Sequence, residues 1–174
     1  MPTDEELVGR LVVGDDAALR DLLSRYERPL SRFLYRNTGG RDVEDLYQET
    51  WIRVVRYASR FDRSKRFSTW LFQIAVNLCR DWQRRKPPEP RLVPEDAIGS
   101  VTMARAEAVL DVHRLLEALP IEQREVLILR YYHDMTEEQV AEVLGCPRGT
   151  VKSRTHHALT RLSQIARSKA EESR

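Results

Sequence analysis

What this chain of 174 residues has little of narrows its chemistry. Its two cysteines, Cys79 and Cys146, form no CxxC pair, so neither a thiolate metal site nor a redox dithiol is expected, and no disulfide in a reducing compartment. Cys79 falls in an apolar helical stretch and reads as a small core residue, and Cys146 as a turn residue beside a glycine. No glycine-rich phosphate loop and no serine, histidine and acid set is evident, so an enzyme is not expected, nor a cofactor. His113 and His133 are dispersed. His156 and His157 are adjacent, so their side chains diverge by about 100° on a helix; metal ligation is not expected. No apolar run approaches membrane-spanning length. The N-terminal MPTDEELVGRL is acidic and is not expected to be a signal peptide. A cytoplasmic chain without membrane insertion is the expectation. A large excess of one charge is also missing: the net charge is +2, which does not announce a nucleic-acid binder.

The distribution of charge is more informative than its sum. From Arg56 to Lys86 nine basic residues face only Asp62 and Asp81. From Arg148 to Arg174 seven basic residues face Glu171 and Glu172, whereas Glu107 to Pro147 is acidic. Two basic zones far apart in sequence suggest two contacts with a polyanion. Glycine is scarce and charged residues abundant, which favours helices.

The segment "KPPEPRLVP", Lys86 to Pro94, carries four prolines in nine residues. It forbids a helix and favours an extended, semi-rigid chain. The expectation is an all-α protein of two small helical domains, at about 5–86 and 105–170, joined by a Pro-rich linker at about 87–104. In the first, Ala18, Leu22, Leu23 and Tyr26 form an apolar stripe that continues through Leu30, Phe33 and Leu34. Gly39-Gly40 breaks the chain. Asp42 is expected to cap a helix running from Val43 to about Ser59, and a further helix runs from Ser68 or Thr69 to about Arg85. In the second domain, Val109, Val112, Leu115, Leu116 and Leu119 keep helical spacing up to Pro120, and another helix covers Glu122 to about His133.

"TEEQVAEVLGCPRGTVKSRTHHALTRL", Thr136 to Leu162, reads as a helix-turn-helix. Thr136 and Gln139 make a capping box. Val140, Ala141 and Leu144 share one side, and Gly145 ends the helix where a left-handed residue costs least. In the second helix Val151, Thr155, Ala158 and Leu162 face inward, while Ser153, His156, His157 and Thr160 lie opposite with Lys152 at the flank. That helix begins with Arg148 and Thr150, at the end that enters the major groove first in such motifs.

Two stretches of the first domain stand out. In "DVEDLYQETWIRVVRYASRF", Val43, Leu46, Thr50 and Val54 can face the core, leaving Asp45, Gln48, Glu49 and Ile52 on the other side; by itself this is a solvated helix face. "FDRSKRFSTWLFQIAVNLCRDWQRRK" interleaves Phe61, Phe67, Trp70, Phe72 and Trp82 with cations, a mixture suited to single-stranded nucleic acid, although about half of the aromatics are expected to pack inside.

Taken in order, "DVEDLYQETWIRV", "FSTWLFQIAVNLCRDWQRR" and "LPIEQREVLILRYYHDMTEEQVAEVLGCPRGTVKSRTHHALTRL" resemble an extracytoplasmic-function (ECF) sigma factor of bacteria, a group of the sigma-70 superfamily. The resemblance covers nearly the whole chain. It implies an alternative transcription initiation factor that binds core RNA polymerase, at the beta-prime clamp and beta flap, and directs it to promoters. It implies that "DLYQE" docks on the clamp through Asp45, Gln48 and Glu49, with Leu46 supporting them, which replaces the solvated-face reading. It implies that Arg63, Lys65, Arg66, Phe67, Ser68, Trp70, Asn77, Arg80 and Asp81 recognise and melt the minus-ten element, with Asn77 and Arg80 foremost. It gives the minus-thirty-five element to Lys152, Ser153, His156 and His157, with Arg148, Thr150 and Arg154 on phosphate. Arginine is frequent in the family where this chain has His156 and His157; histidine lacks the guanidinium fork, which predicts a weaker or pH-sensitive upstream contact. An anti-sigma partner, holding the chain inactive and sometimes at the membrane, follows from the same resemblance. The competing readings are a stand-alone helix-turn-helix regulator with a helical sensor domain, and a helical adaptor that binds only protein.

Overall fold

A computed structural model describes residues 1–85, 112 and 114–172, the last few without their side chains. All regular structure among the described residues is helical, and the chain forms two compact units. The first holds α1 (Asp4–Val12), α2 (Asp16–Thr38), α3 (Val43–Tyr57), a 3-10 turn (Ala58–Arg60) and α4 (Phe67–Arg85). The second is built on α5 (Ile121–Tyr132), α6 (Glu137–Leu144) and α7 (Arg148–Glu172). The expected linker and Val109 lie outside the described residues.

Helix α1 was not among the helices expected from the pattern. Thr3 and Glu6 close a full capping box around its first turn, and Leu7 and Val8 are buried beneath it. Asp4 then ties α1 to α2: it accepts from Arg25 at 2.6 Å and from the Tyr26 hydroxyl. Burial first, and then the hydrogen bond to Asp4, push the Tyr26 pKa above its ordinary value. Asp15 caps α2 by accepting from the Ala17 and Ala18 amides. The expected stripe is buried at Ala18, Leu22, Leu30, Phe33 and Leu34, and the helix runs unbroken past Pro29. It ends at Gly39 (φ 68°) and Gly40 (φ 81°). A Cβ on Gly40 would lie 2.7 Å from the Tyr35 ring, so a side chain there would have to displace it.

Asp42 does not cap α3 as expected. It stands at the N-cap position with φ 51° and makes no side-chain cap. Its carboxylate instead accepts the Trp82 indole N–H at 2.7 Å, fastening the start of α3 to the end of α4. Arg41 lies over the same indole ring, 5.1 Å from its centroid. The helix also stops at Tyr57, two residues short, where the chain tightens into the 3-10 turn.

The second unit is organised around α5. Residues Arg124 to Leu129 are all buried, including two charged ones. A helix covered on every side has no polar stripe, and the helical period gave no warning of it. The Arg124 guanidinium donates to the carbonyls of Leu116 (2.9 Å), Glu117 (3.0 Å) and Leu119 (3.2 Å), satisfying the end of the preceding helical turns. Of the apolar residues at helical spacing before Pro120, Val112 is 41% exposed, while Leu116 and Leu119 are buried. The capping box of α6 forms as expected, with Thr136 N–H to Gln139 at 2.8 Å and Gln139 N–H to Thr136 Oγ1 at 3.2 Å. Gly145 adopts φ 63°. Its amide donates to Glu142 and the Cys146 amide to Ala141, the paired bonds that close a helix end on a left-handed residue. Val140, Leu144, Val151 and Ala158 are buried, as is Val143.

Candidate polymerase and promoter-DNA interfaces

Three exposed faces carry the residues singled out from sequence. On α3, Leu46, Thr50, Trp51 and Val54 are buried, which turns Asp45 and Gln48 to solvent with Glu49 half-buried. Glu49 accepts from Arg53 one turn on, at 2.8 Å. Leu46 is 7% exposed, so it braces the face from inside. Ile52 (49% exposed) and Val55 (47%) extend the face along the helix; Val55 had not been singled out. Acidic, amide and apolar groups along one exposed stripe suit a protein partner more than DNA.

The second face joins the loop 61–66 to α4. Arg63, Lys65 and Arg66 are all exposed. The loop is shaped locally by Asp62, which accepts the Ser64 amide at 3.0 Å and its hydroxyl at 2.7 Å; these bonds hold the Asp62 carboxyl below the usual carboxylate range. The aromatics mostly pack. Phe61, Phe67, Phe72 and Trp82 are buried, and Trp70 alone of the five is half-buried. Phe67 is 0% exposed, and its ring meets those of Tyr26, Trp51, Phe61 and Trp70 at 5.4 to 6.5 Å. The base contact expected of Phe67 is therefore withdrawn: it is a core residue, and a ring with no open face cannot stack on a base. Ser68 and Trp70 are half-buried, and Trp70 stacks obliquely on Phe61 at 5.0 Å. Trp70, Asn77 and Asp81 fall on one line of α4 at helical spacing. Asn77 is exposed and Arg80 is half-buried. Asp81 is paired with Arg84.

The third face belongs to α7. Lys152, Ser153, His156 and His157 are exposed, with Thr150 and Arg154 half-buried. The two imidazoles are 5.9 Å apart and tilted by 58°. Arg148, expected to be open to phosphate, is already engaged: it bridges Glu137 at 2.8 Å and Glu138 at 2.7 Å on α6. Its pKa is raised, by the hydrogen bond to Glu137 first and the Glu138 charge next. The spacing of the charges permitted this pairing, but only the turn brings them together. Among the described residues no three histidine, cysteine or acidic side chains are grouped to hold a metal ion.

Comparison with known proteins finds two family models, one after the other along the chain. Residues 22–87 match the model for sigma-70 region 2 and residues 110–162 that for sigma-70 region 4. The ECF RNA polymerase sigma-E factor of Haemophilus influenzae is 32% identical over 172 residues, covering 90% of this chain and 91% of that protein. The chain belongs to the ECF sigma factors of the sigma-70 family. The ECF sigma factor SigW of Bacillus subtilis is 30% identical, over 82% of this chain and 86% of its own length. Among solved structures, CnrH, determined in complex with the cytosolic domain of CnrY, shares 26% identity and a TM-score of 0.76, over 95% of this chain and 97% of that one. The fold is shared also with the sigma factor RpoE of Bartonella quintana, determined in complex with the anti-sigma factor NepR, at 24% identity, with a TM-score of 0.72 over 86% of this chain and 96% of that one.

Proposed function

We propose that this ECF sigma factor docks on core RNA polymerase through the outer face of α3 and reads promoter DNA through its two basic faces. Asp45, Gln48 and Glu49 make the polar contacts with the clamp, Ile52 and Val55 add apolar surface, and Leu46 supports them from the core. The loop 61–66 and the line Trp70, Asn77 and Asp81, with Arg80 beside it, take the opened strand of the minus-ten element. Cations hold its backbone, and Trp70 offers a ring for a base whose unstacking costs a few kcal/mol. Lys152, Ser153, His156 and His157 read the minus-thirty-five duplex in the major groove, with Thr150 and Arg154 on the backbone.

The observation that carries this reading is the separation of surfaces on the first unit: an acidic and amide stripe on α3, and a cationic loop continuing into α4. A regulator binding duplex DNA by itself needs only the α7 face. The segment at about 87–104 is read as the linker between domains at about 5–86 and 105–170; joint binding then depends on the polymerase fixing their spacing. Among the described residues no helix is long and apolar enough to cross a membrane, and the reading places the protein in the cytoplasm. An anti-sigma factor covering these faces belongs to the same reading, supported by the bound CnrY domain on the structural relative CnrH.

The test is transcription from a pool of genomic promoter fragments by bacterial core polymerase, with and without the chain. Defined transcripts that vanish with Gln48→Ala plus Glu49→Ala support the reading. No transcripts, together with tight duplex binding by the chain alone, would replace it with a stand-alone regulator.

A further inference from the structure

The loop 61–66 ends where α4 begins, at the junction of Arg66 and Phe67. Arg66 directly precedes Phe67, the first residue of α4, and an arginine side chain has no acceptor to offer the helix start. The missing acceptor arrives from α1: Glu5 Oε1 accepts the Phe67 amide at 2.9 Å, across sixty-two positions of sequence. A carboxylate there satisfies an otherwise orphaned N–H and favours the positive end of the helix. One turn further along α1, Gly9 faces the same loop. A Cβ built on Gly9 would lie 2.7 Å from Arg63 Cζ and 2.8 Å from its Nη2. The Arg63 guanidinium thus rests against the helix at the one point where no side chain intervenes.

We propose that α1 is a positioning element for the promoter-melting loop. Glu5 fixes the end of the loop by capping α4, and Gly9 sets the location of the Arg63 guanidinium. The inference rests on the reading of loop 61–66 as a minus-ten contact. Neither residue touches DNA in this account; each acts through the loop.

The experiment uses holoenzyme on a promoter recovered from the transcription pool. Open-complex formation is followed by permanganate reactivity of unpaired thymines, and polymerase affinity is measured in parallel. Glu5→Ala is expected to lower opening about tenfold, the scale of a lost helix cap, with polymerase affinity unchanged. Glu5→Gln keeps an acceptor oxygen and is expected to restore most of it. Gly9→Ala is expected to lower opening about threefold, the scale of an arginine moved off its phosphate, and to have no effect once Arg63 is also alanine. Should Glu5→Ala fail to fold, the pair Gly9→Ala and Arg63→Ala decides alone. Wild-type opening in both α1 variants, or an equal loss from Gly9→Ala with and without Arg63, would overturn the proposal and leave α1 a structural helix. If Arg63→Ala and Arg66→Ala themselves opened DNA normally, the loop would not be the contact, and the proposal would fall with that reading and by a different signature.

Discussion

In the first unit the cations stand on a loop whose ends are held from far away: Phe61 and Phe67 anchor it in a cluster of rings from α2, α3 and α4, and Glu5 of α1 caps its exit. In the second unit they stand along α7, and what aims that helix is near in sequence. Thr136 and Gln139 start α6, the Gly145 turn ends it, and Arg148 closes back on Glu137 and Glu138. An irregular loop has no hydrogen-bond ladder to hold its shape, so a cationic surface on one needs tertiary support. A recognition helix carries its ladder with it and needs only its ends defined.

The largest effect expected from this difference is at Phe67. Phe67→Ala removes the ring on which four others converge and should cost about 3–5 kcal/mol. The three tryptophans, Trp51, Trp70 and Trp82, all lie in the first unit. Tryptophan fluorescence in a denaturant titration therefore reads this unit by itself, and its midpoint should fall. Amide exchange in α5 and α7 should not change. A loss of protection in both units would show that the distant anchoring is shared, and the comparison would break.

The same contrast sets what was legible in the sequence. The α6 cap, the Gly145 turn and the split of α7 into an inner and an outer face are properties of short windows, and the structure carries all three. What depended on tertiary partners was not legible. Phe67 and Trp70 are both aromatic and three positions apart, and nothing in their spacing says that the first is sealed by Tyr26 and Trp51 while the second stays open. Asp42 was expected to cap α3 because it precedes it; its carboxylate goes to Trp82, forty positions away. Arg124 and Glu125 of α5 are buried with the apolar residues beside them, and burial on every side removes the period by which a face is recognised. Helix α1 is a different miss. Thr3 and Glu6 ahead of Leu7 and Val8 carry the same capping signature as Thr136 and Gln139, so its existence was within reach, whereas the reach of Glu5 to Phe67 was not.

A smaller effect sharpens the local half of the comparison. Thr136→Ala removes the acceptor for the Gln139 amide and should cost about 1 kcal/mol. Amide exchange in α6 should speed up while the tryptophan transition stays where it is. An unchanged α6 would mean that burial of Val140, Val143 and Leu144 holds the helix without its cap, and that the second unit is no more locally determined than the first.

The smallest effect concerns the ion pairs that close α7 onto α6. Arg148 is itself exposed and bridges the half-buried Glu137 and the exposed Glu138, and surface pairs of this kind contribute little to stability. Their consequence is for DNA. A guanidinium shared by Glu137 and Glu138 is not fully available to a phosphate, and the two carboxylates repel the backbone that α7 approaches. Glu137→Gln with Glu138→Gln should therefore tighten duplex binding severalfold, with the salt dependence steepened by about one phosphate contact. In an Arg148→Ala background that steepening should be absent, leaving only the relief of repulsion. Acid should act in the same direction. The Glu138 carboxyl is held below its ordinary range, chiefly by its own backbone amide, then by the Thr136 hydroxyl and the Arg148 charge. Its pairing is thus complete above the ordinary carboxylate range and is lost only as pH falls through the lowered value, so Arg148 stays engaged at neutral pH. If the double variant leaves both affinity and salt slope unchanged, Arg148 faces no phosphate, and the upstream contact rests on Lys152, Arg154 and the two histidines.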